Sequence, residues 1–467
     1  MKMWSGRFRE PLDPAFEHWQ RSFPFDQRLL RYELQASRAY ARALKKAGVL
    51  SGQELKSIEF GLDQIAEKAI TDPEFLNNEE AEDVHHFVEL QLMNLLGDVG
   101  GKLHSGRSRN EQIATDLRLY VRDSIDQLCG SITDLLETFV ERAEQAKEAV
   151  MPAYTHMQRA EPVLVAHWLL AYVEMLFRDI ERLQDCRKRV NWCPLGSGAV
   201  AGSTLPLDRN AMAAELDFEG PTANSIDSTS DRDFVLEYVN ALSLLALHLS
   251  RWAEEMILFS TSEFRFVELP EAFSTGSSAM PQKKNPDLLE LTRGKAGRIV
   301  GDAAALQVSL KGLPMAYNKD LQETQQPMFD ASETMMSIVP LLAEFMRKVQ
   351  FDFDRMQSAA ESGFMNAFAA ATYLTEKGVP FRLAHEQIGK AVQLCVQKGC
   401  ELKDLPLPEL RQIDSAFEAD FFSRLSVKAV LAIHNVLGGT ATERVKRALA
   451  EAKQKFSAIR GTVHAHA

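Results

Sequence analysis

Cysteine is scarce in this 467-residue chain. Its five cysteines, Cys129, Cys186, Cys193, Cys395 and Cys400, are odd in number and scattered, and no CxxC pair occurs. That excludes a disulfide framework of the kind that staples small secreted domains, and it points to a reducing cytoplasm. No apolar run approaches the roughly 20 residues that span a bilayer. The first residues, Met1 to Trp4, lack the apolar segment of a secretory leader, so none is expected. An excess of positive charge is missing too: 53 Lys and Arg against 65 Asp and Glu leave a net charge of −12. Such a balance argues against general binding to nucleic acid or to an anionic membrane, although a local basic pocket for a small anion remains open. His464 and His466 near the end do not have zinc-ligand spacing.

Proline and glycine are absent over long stretches. Neither occurs between Pro162 and Pro194 or between Pro221 and Pro270, and Gly130 alone interrupts Arg107 to Met151. Alternating β-branched runs are few. What is there instead is helical periodicity. Val235, Tyr238, Val239, Leu242, Leu245, Leu249, Trp252, Met256 and Ile257 recur in steps of three and four, as do Leu117, Val121, Ile125, Leu128, Ile132, Leu135, Phe139 and Ala143. These stripes predict long amphipathic helices packed as a bundle, and core packing explains them without any chemistry. The fold class is therefore mainly α. Three regions are expected: an N-terminal helical domain over 1–104, a central long-helix bundle over 105–351, and a C-terminal helical domain over 352–467.

Chemistry is expected in the breaks, where loops present side chains that helices hold still. Four breaks are rich in polar groups. Gly101 to Gln112 places His104, Arg107, Arg109 and Asn110 before a helix, which suits a carboxylate or phosphate and equally an ordinary helix start. Ala153 to Pro162 sets Tyr154, Thr155, His156 and Gln158 between two helices; a histidine there is an acid or base, or a structural residue. Asn224 to Phe234 reads as a capped helix start with Arg232 beside it. Phe273 to Glu290 carries Gly276, two serines, two prolines and two adjacent lysines. It lacks the spacing of a phosphate-binding loop, and its serine and lysine leave acyl transfer or a plain lysine-rich loop open.

Taken together the breaks carry a resemblance. Gly276 to Pro286, "GSSAMPQKKNP", resembles the GSSxMPxKxNP signature of the fumarase/aspartase superfamily. "WSGRF" at Trp4 to Phe8, "KLHSGRSRNEQ" at Lys102 to Gln112, "YTHMQRAEP" at Tyr154 to Pro162, "PLGSGAVAGS" at Pro194 to Ser203, "DRDF" at Asp231 to Phe234, "GLPMAYNKDLQE" at Gly312 to Glu323 and "GVPFRLAHE" near the C-terminus are similar to the argininosuccinate lyase family, in order along nearly the whole chain. The resemblance implies three helical domains and a homotetramer built on a twenty-helix core, with each active site shared between subunits. It implies β-elimination of argininosuccinate to arginine and fumarate in arginine biosynthesis, with no metal and no organic cofactor.

The same resemblance implies roles. The proton removed lies beside a carboxylate, so the enzyme must stabilise a dianionic aci-carboxylate with cations and N–H donors. Lys283, Asn285 and loop amides fit that need. Ser277 is implied as the base, activated by Lys283 and local N–H donors under a closing loop. His156 is implied as the acid that protonates the departing guanidine, oriented by Glu290, although the sequence leaves the two roles exchangeable. Ser22, Asp83, His85, Arg109, Asn110, Thr155, Arg232, Tyr317 and Gln322 match the substrate-binding positions. Departures occur: Gln325 stands where the family has a substrate-binding lysine, Ser105, Glu111 and Glu161 replace Thr, Asp and Gln, and "HHFVE" at His85 to Glu89 replaces a more polar run. The Gln325 change keeps open a lyase acting on another N-succinyl compound, and a crystallin-like structural role is the alternative from a different class.

Overall fold

A computed structural model describes residues 10–464; the Trp4 to Phe8 segment and His466 lie outside the described residues. The helices that build the site are α1 (Leu30–Lys46), α2 (Val84–Leu96) and α3 (Arg109–Gln145). After the antiparallel hairpin of β1 (Val150–Thr155) and β2 (Gln158–Leu164) come α4 (Val165–Val190), α5 (Asp233–Ser260), α6 (Asp287–Leu310), α7 (Gln325–Lys348), α8 (Phe381–Lys398) and α9 (Thr442–His464). Sheet is confined to two-stranded ribbons among the described residues. The 37 residues of α3 run about 55 Å at 1.5 Å per residue. Every residue of the two apolar stripes is buried except Ile257, so the periodicity marks the core as expected. Among the described residues no helix is long and apolar enough to cross a membrane.

Packing divides the chain into two compact units. The first comprises Met1–Gln127, Glu181–Leu244 and Gly297–Met335; the second comprises Leu128–Ile180, Leu245–Ala296 and Met336–Ala467. The division falls within each of α3 to α7, so each long helix contributes one part to each unit. In the first unit, Tyr120 of α3 meets Tyr32 of α1 and Phe329 of α7 edge-on, at 5.8 and 5.0 Å between ring centroids. The hydroxyls of Tyr238 on α5 and Ser332 on α7 lie 2.8 Å apart, which satisfies a phenol that burial would otherwise penalise. In the second unit, Trp252 of α5 is the large anchor, edge-on to Phe139 of α3 at 5.6 Å and to Phe345 of α7 at 5.8 Å. Such aromatic pairs add to the area they bury. A smaller core forms around α8, where Ala384, Ile388, Ala391 and Cys395 pack with Leu402, Phe417 and Phe421.

Candidate active site

The first unit gathers most of the residues selected from the sequence. Ser108 precedes α3: its N–H donates to Glu111 Oε1 at 3.0 Å and its Oγ accepts from the N–H of Asn110 at 3.2 Å. This is the reciprocal cap that starts many helices. Glu111 is fully buried, and its other oxygen accepts from the N–H of Gly198 at 2.9 Å. The glycine-rich turn after α4 is thereby docked on the start of α3. Arg109, the first residue of α3, reaches Asp83 Oδ2 at 3.0 Å and Glu82 Oε2 at 3.3 Å. Asp83 in turn caps α2 by accepting from the N–H of His86 at 2.7 Å.

These contacts frame a cavity of about 240 Å³. Seven of the expected residues, Ser22, Asp83, His85, Arg109, Asn110, Tyr317 and Gln322, line it. Five residues not chosen for the site join them: Asp26, Glu82, Ile113, Lys319 and Gln325. Lys319 Nζ lies 3.2 Å from Glu82 Oε1, and Gln322 Nε2 donates to Gln20 C=O at 3.1 Å. Ser22 donates to Asp26 Oδ2 at 2.6 Å, and Val84 N–H donates to Asp26 Oδ1 at 3.0 Å. Burial, with Asp83 adding to it, pushes Asp26 up to about 7. Gln325, where the charge expected from the resemblance is missing, is 4% exposed and its Oε1 has no hydrogen-bond partner.

Behind the cavity lies a buried charge network. His85 Nδ1 is 3.0 Å from Glu33 Oε2 and 3.6 Å from Asp116 Oδ2. Glu33 also accepts from Ser37 Oγ at 2.6 Å and Gln112 Nε2 at 3.1 Å. Burial would raise Glu33, but the guanidinium of Arg107, 3.6 Å away, and His85 outweigh it and hold it down to about 2. Burial likewise opposes a charged His85, and Glu33 overcomes it and raises the imidazole. Asp116, deep in the same cluster, is pushed well up by burial and by Glu33. Glu33, His85 and Asp116 offer three ligand atoms within 4.8 Å of one another. The adjacent Arg107 and the donors already bound to Glu33 fit an ion-pair network better than a cation site.

Arg232 stands apart from the cavity lining. It is 2% exposed and donates from Nη1 to the carbonyl of Asp231 at 2.7 Å, while Nε and Nη2 have no hydrogen-bond partner. Burial lowers it to about 10, partly countered by Tyr317 beside it. A buried guanidinium with unpaired N–H groups is costly, and a carboxylate is the group that relieves it.

Thr155, His156, Ser277, Lys283, Asn285 and Glu290 fall in the second unit. The segment holding His156 lies between two helices, α3 and α4, as expected, and it is a β-hairpin. Thr155 pairs with Gln158, and His156 and Met157 form the two-residue turn at φ 53° and 60°. That turn type wants two residues in the left-handed region, usually Asn-Gly. A His-Met turn carries strain, and strain of this kind gathers at functional sites. Thr155 and His156 are exposed at the tip.

The signature loop is stapled at its base. Thr275–Gly276 pairs antiparallel with Lys284–Asn285. Asp287 Oδ2, at the start of α6, accepts from Thr275 N–H at 3.1 Å and Thr275 Oγ1 at 2.7 Å. Ser277 Oγ accepts from the N–H groups of Ala279 at 3.3 Å and Met280 at 3.1 Å. Lys283 and Glu290 are exposed, and among the described residues the side chains of His156, Lys283 and Glu290 make no hydrogen bond to one another or to Ser277. Seven of the expected residues thus share a cavity in the first unit, and in the second unit the side chains of His156, Lys283 and Glu290 make no hydrogen bond to one another or to Ser277.

Comparison with known proteins places this arrangement among helical lyases. Residues 6–301 match the family model described as lyase, and residues 364–432 match the argininosuccinate lyase C-terminal model. Argininosuccinate lyase of Koribacter versatilis (strain Ellin345) is 58% identical over 467 residues, 100% of both chains. That of Acidobacterium capsulatum is also 58% identical, over 97% of this chain and 94% of its own. Among solved structures, an EDDS lyase variant with bound fumarate superposes with a TM-score of 0.86 at 27% identity, over 98% of this chain and 92% of the other. A class II fumarase from Schistosoma mansoni shares the fold, with a TM-score of 0.72 at 17% identity over 86% and 90% of the two chains. The chain belongs to the argininosuccinate lyase family.

Proposed function

We propose that this chain catalyses the elimination of argininosuccinate to arginine and fumarate, a step of arginine biosynthesis. The observation that carries the reading beyond family membership is the buried Arg232 with two unpaired nitrogens, in the unit whose cavity combines carboxylates, Arg109 and neutral amides. A succinyl carboxylate supplies what Arg232 lacks. The carboxylates of the cavity suit the cationic groups of the arginine portion, with Ser22, Asn110, Tyr317 and Gln322 fixing its orientation.

Ser277 takes the proton. Its oxygen already accepts two backbone N–H groups, and these same donors favour the alkoxide that a base must become. Lys283 and Asn285 supply charge and donors to the aci-carboxylate as it forms. His156, presented on its strained turn beside Thr155, protonates the leaving guanidine, with Glu290 orienting it. The second unit's residues reach the first unit's cavity from other copies of the chain in a homotetramer. Exposed apolar residues on the long helices support that assembly: Leu247 on α5, Leu291 and Val308 on α6 and Leu341 on α7 are 45%, 59%, 67% and 45% exposed in the single chain. We assign the enzyme to the cytoplasm, in keeping with its five free cysteines.

The test is fumarate absorbance in the ultraviolet after argininosuccinate is added to the wild type and to Ser277→Ala. Release by the wild type and its loss in the variant are expected. A wild type that releases nothing from argininosuccinate but acts on another N-succinyl amine would overturn the substrate assignment.

A further inference from the structure

The C-terminal turn of α8 brings two thiols together. Gly399 ends the helix in the left-handed region, at φ 66° and ψ 38°. The N–H of Cys400 donates to the carbonyl of Cys395 at 3.0 Å, and that of Gly399 to Val396 at 3.4 Å. This paired reversal folds the residue after the glycine back over the last turn, where helices commonly seat an apolar contact. Here the residue folded back is Cys400, which packs against the small core that holds Cys395. A carbonyl–amide bond between two residues holds their Cα atoms within the roughly 4.4–6.8 Å that a disulfide spans.

The two sulfurs differ in access. Cys395 is 0% exposed in the small core around α8, whereas Cys400 lies partly exposed at its edge. Burial first, and Cys400 next, push Cys395 up to about 12, so Cys400 is the sulfur that meets an oxidant in solution. The turn also bears on the hairpin of the same unit. Glu401, next in the chain, accepts from the N–H of Gly363 at 2.9 Å. The neighbouring Ser362 Oγ and Ala359 C=O each accept from Arg159 at 3.1 Å, and Arg159 follows His156 by three residues on β2.

We infer that Cys395 and Cys400 form a redox modification site that closes to an intramolecular disulfide when hydrogen peroxide reaches Cys400. The Cys400 thiolate attacks one peroxide oxygen, the O–O bond breaks, and Cys400 becomes a sulfenic acid as hydroxide leaves and takes up the proton that the thiol had released, giving water. Cys395 then gives up its proton and attacks the Cys400 sulfur; the S–S bond forms, the S–O bond breaks and a second water leaves. The two thiols lose two electrons and the peroxide gains them. A reversible bridge of this kind suits a reducing compartment, where disulfides are transient.

The sequence supplies the test, because Lys398 lies between the two cysteines. Trypsin therefore leaves them on separate peptides, residues 391–398 and 399–403. The whole protein is treated with hydrogen peroxide, alkylated and digested. The two peptides are expected as a cross-linked pair that separates on reduction. Loss of the pair is expected in Cys400→Ser, and Cys395→Ala is expected to trap Cys400 as its sulfenic or sulfinic acid. Recovery of both peptides unlinked from oxidised wild type, with Cys400 carrying its own acid or the alkylating label, would overturn the assignment.

Discussion

In the proposed mechanism the two units prepare for one reaction in opposite ways. The first holds its charges buried and mutually fixed: Arg109 on Asp83 and Glu82, His85 on Glu33, Asp26 under Ser22. The second holds its reactive groups in the open, His156 on an exposed turn and Lys283 and Glu290 without hydrogen bonds to Ser277 or to each other. Buried, paired charges cost little to keep in place once folded, and they define a shape before substrate arrives. Exposed groups on a hairpin tip and a loop are held only at their bases, and they gain their strength when water is excluded. On the proposed assignment, binding is built into the fold of one unit, and the chemistry of the other awaits completion.

Substitutions can separate these two kinds of site. The largest effect is expected in the second unit: Ser277→Ala and His156→Asn should each lower kcat by about 10²–10⁴-fold, with melting temperature unchanged because neither side chain is packed in a core. In the first unit, Arg232→Met should lower kcat/KM by about 10- to 100-fold, the worth of a charged hydrogen bond at roughly 1.5–3 kcal/mol. The free protein should melt no lower than wild type, because an incompletely paired buried charge has been removed. A large fall in melting temperature would mean that Arg232 supports the fold and does not await an anion.

A smaller effect distinguishes the cavity by pH. Asp26 is raised from an ordinary carboxylate value to about 7. Its contribution to stability is therefore complete below about pH 4 and is lost as pH rises toward 7, at about 1.4 kcal/mol for each step of one in pH. Denaturant unfolding of Asp26→Asn and wild type should show the wild type losing stability relative to the variant across that window, with no further change above it. The smallest effect belongs to the turn. Met157→Gly should raise stability by up to about 1 kcal/mol, since glycine takes φ 60° without strain. His156 should keep its place if the turn alone sets it, leaving kcat within a few-fold.

Much of the first unit could be read from the sequence. Of the seven lining residues, Arg109 and Asn110 stood out as polar groups at a break that suited an anion or an ordinary helix start alike, whereas Ser22, Asp83, His85, Tyr317 and Gln322 were named through the resemblance to the family. The buried network was hidden. Glu33 and Asp116 sit within helical patterns where a carboxylate reads as a solvated face, and their burial depends on Arg107 and His85 arriving from distant segments. The strand pairing was hidden for another reason: His-Met at its turn lacks the Asn-Gly signal of that turn type, so the connection between two helices gave no sign of being a hairpin. Gln325 was visible as a missing charge, but its unpaired buried oxygen could be seen only in the fold.

The most direct measurement mixes two impaired proteins, one defective in each unit. Ser277→Ala and Arg232→Met are unfolded together, refolded together and assayed for fumarate release from argininosuccinate. Activity above that of either variant refolded alone is the result expected if Ser277 and Arg232 of different copies serve one site. Refolded assemblies that contain both variants and are no more active than their parents would contradict it, because every site would then draw Ser277 and Arg232 from the same chain.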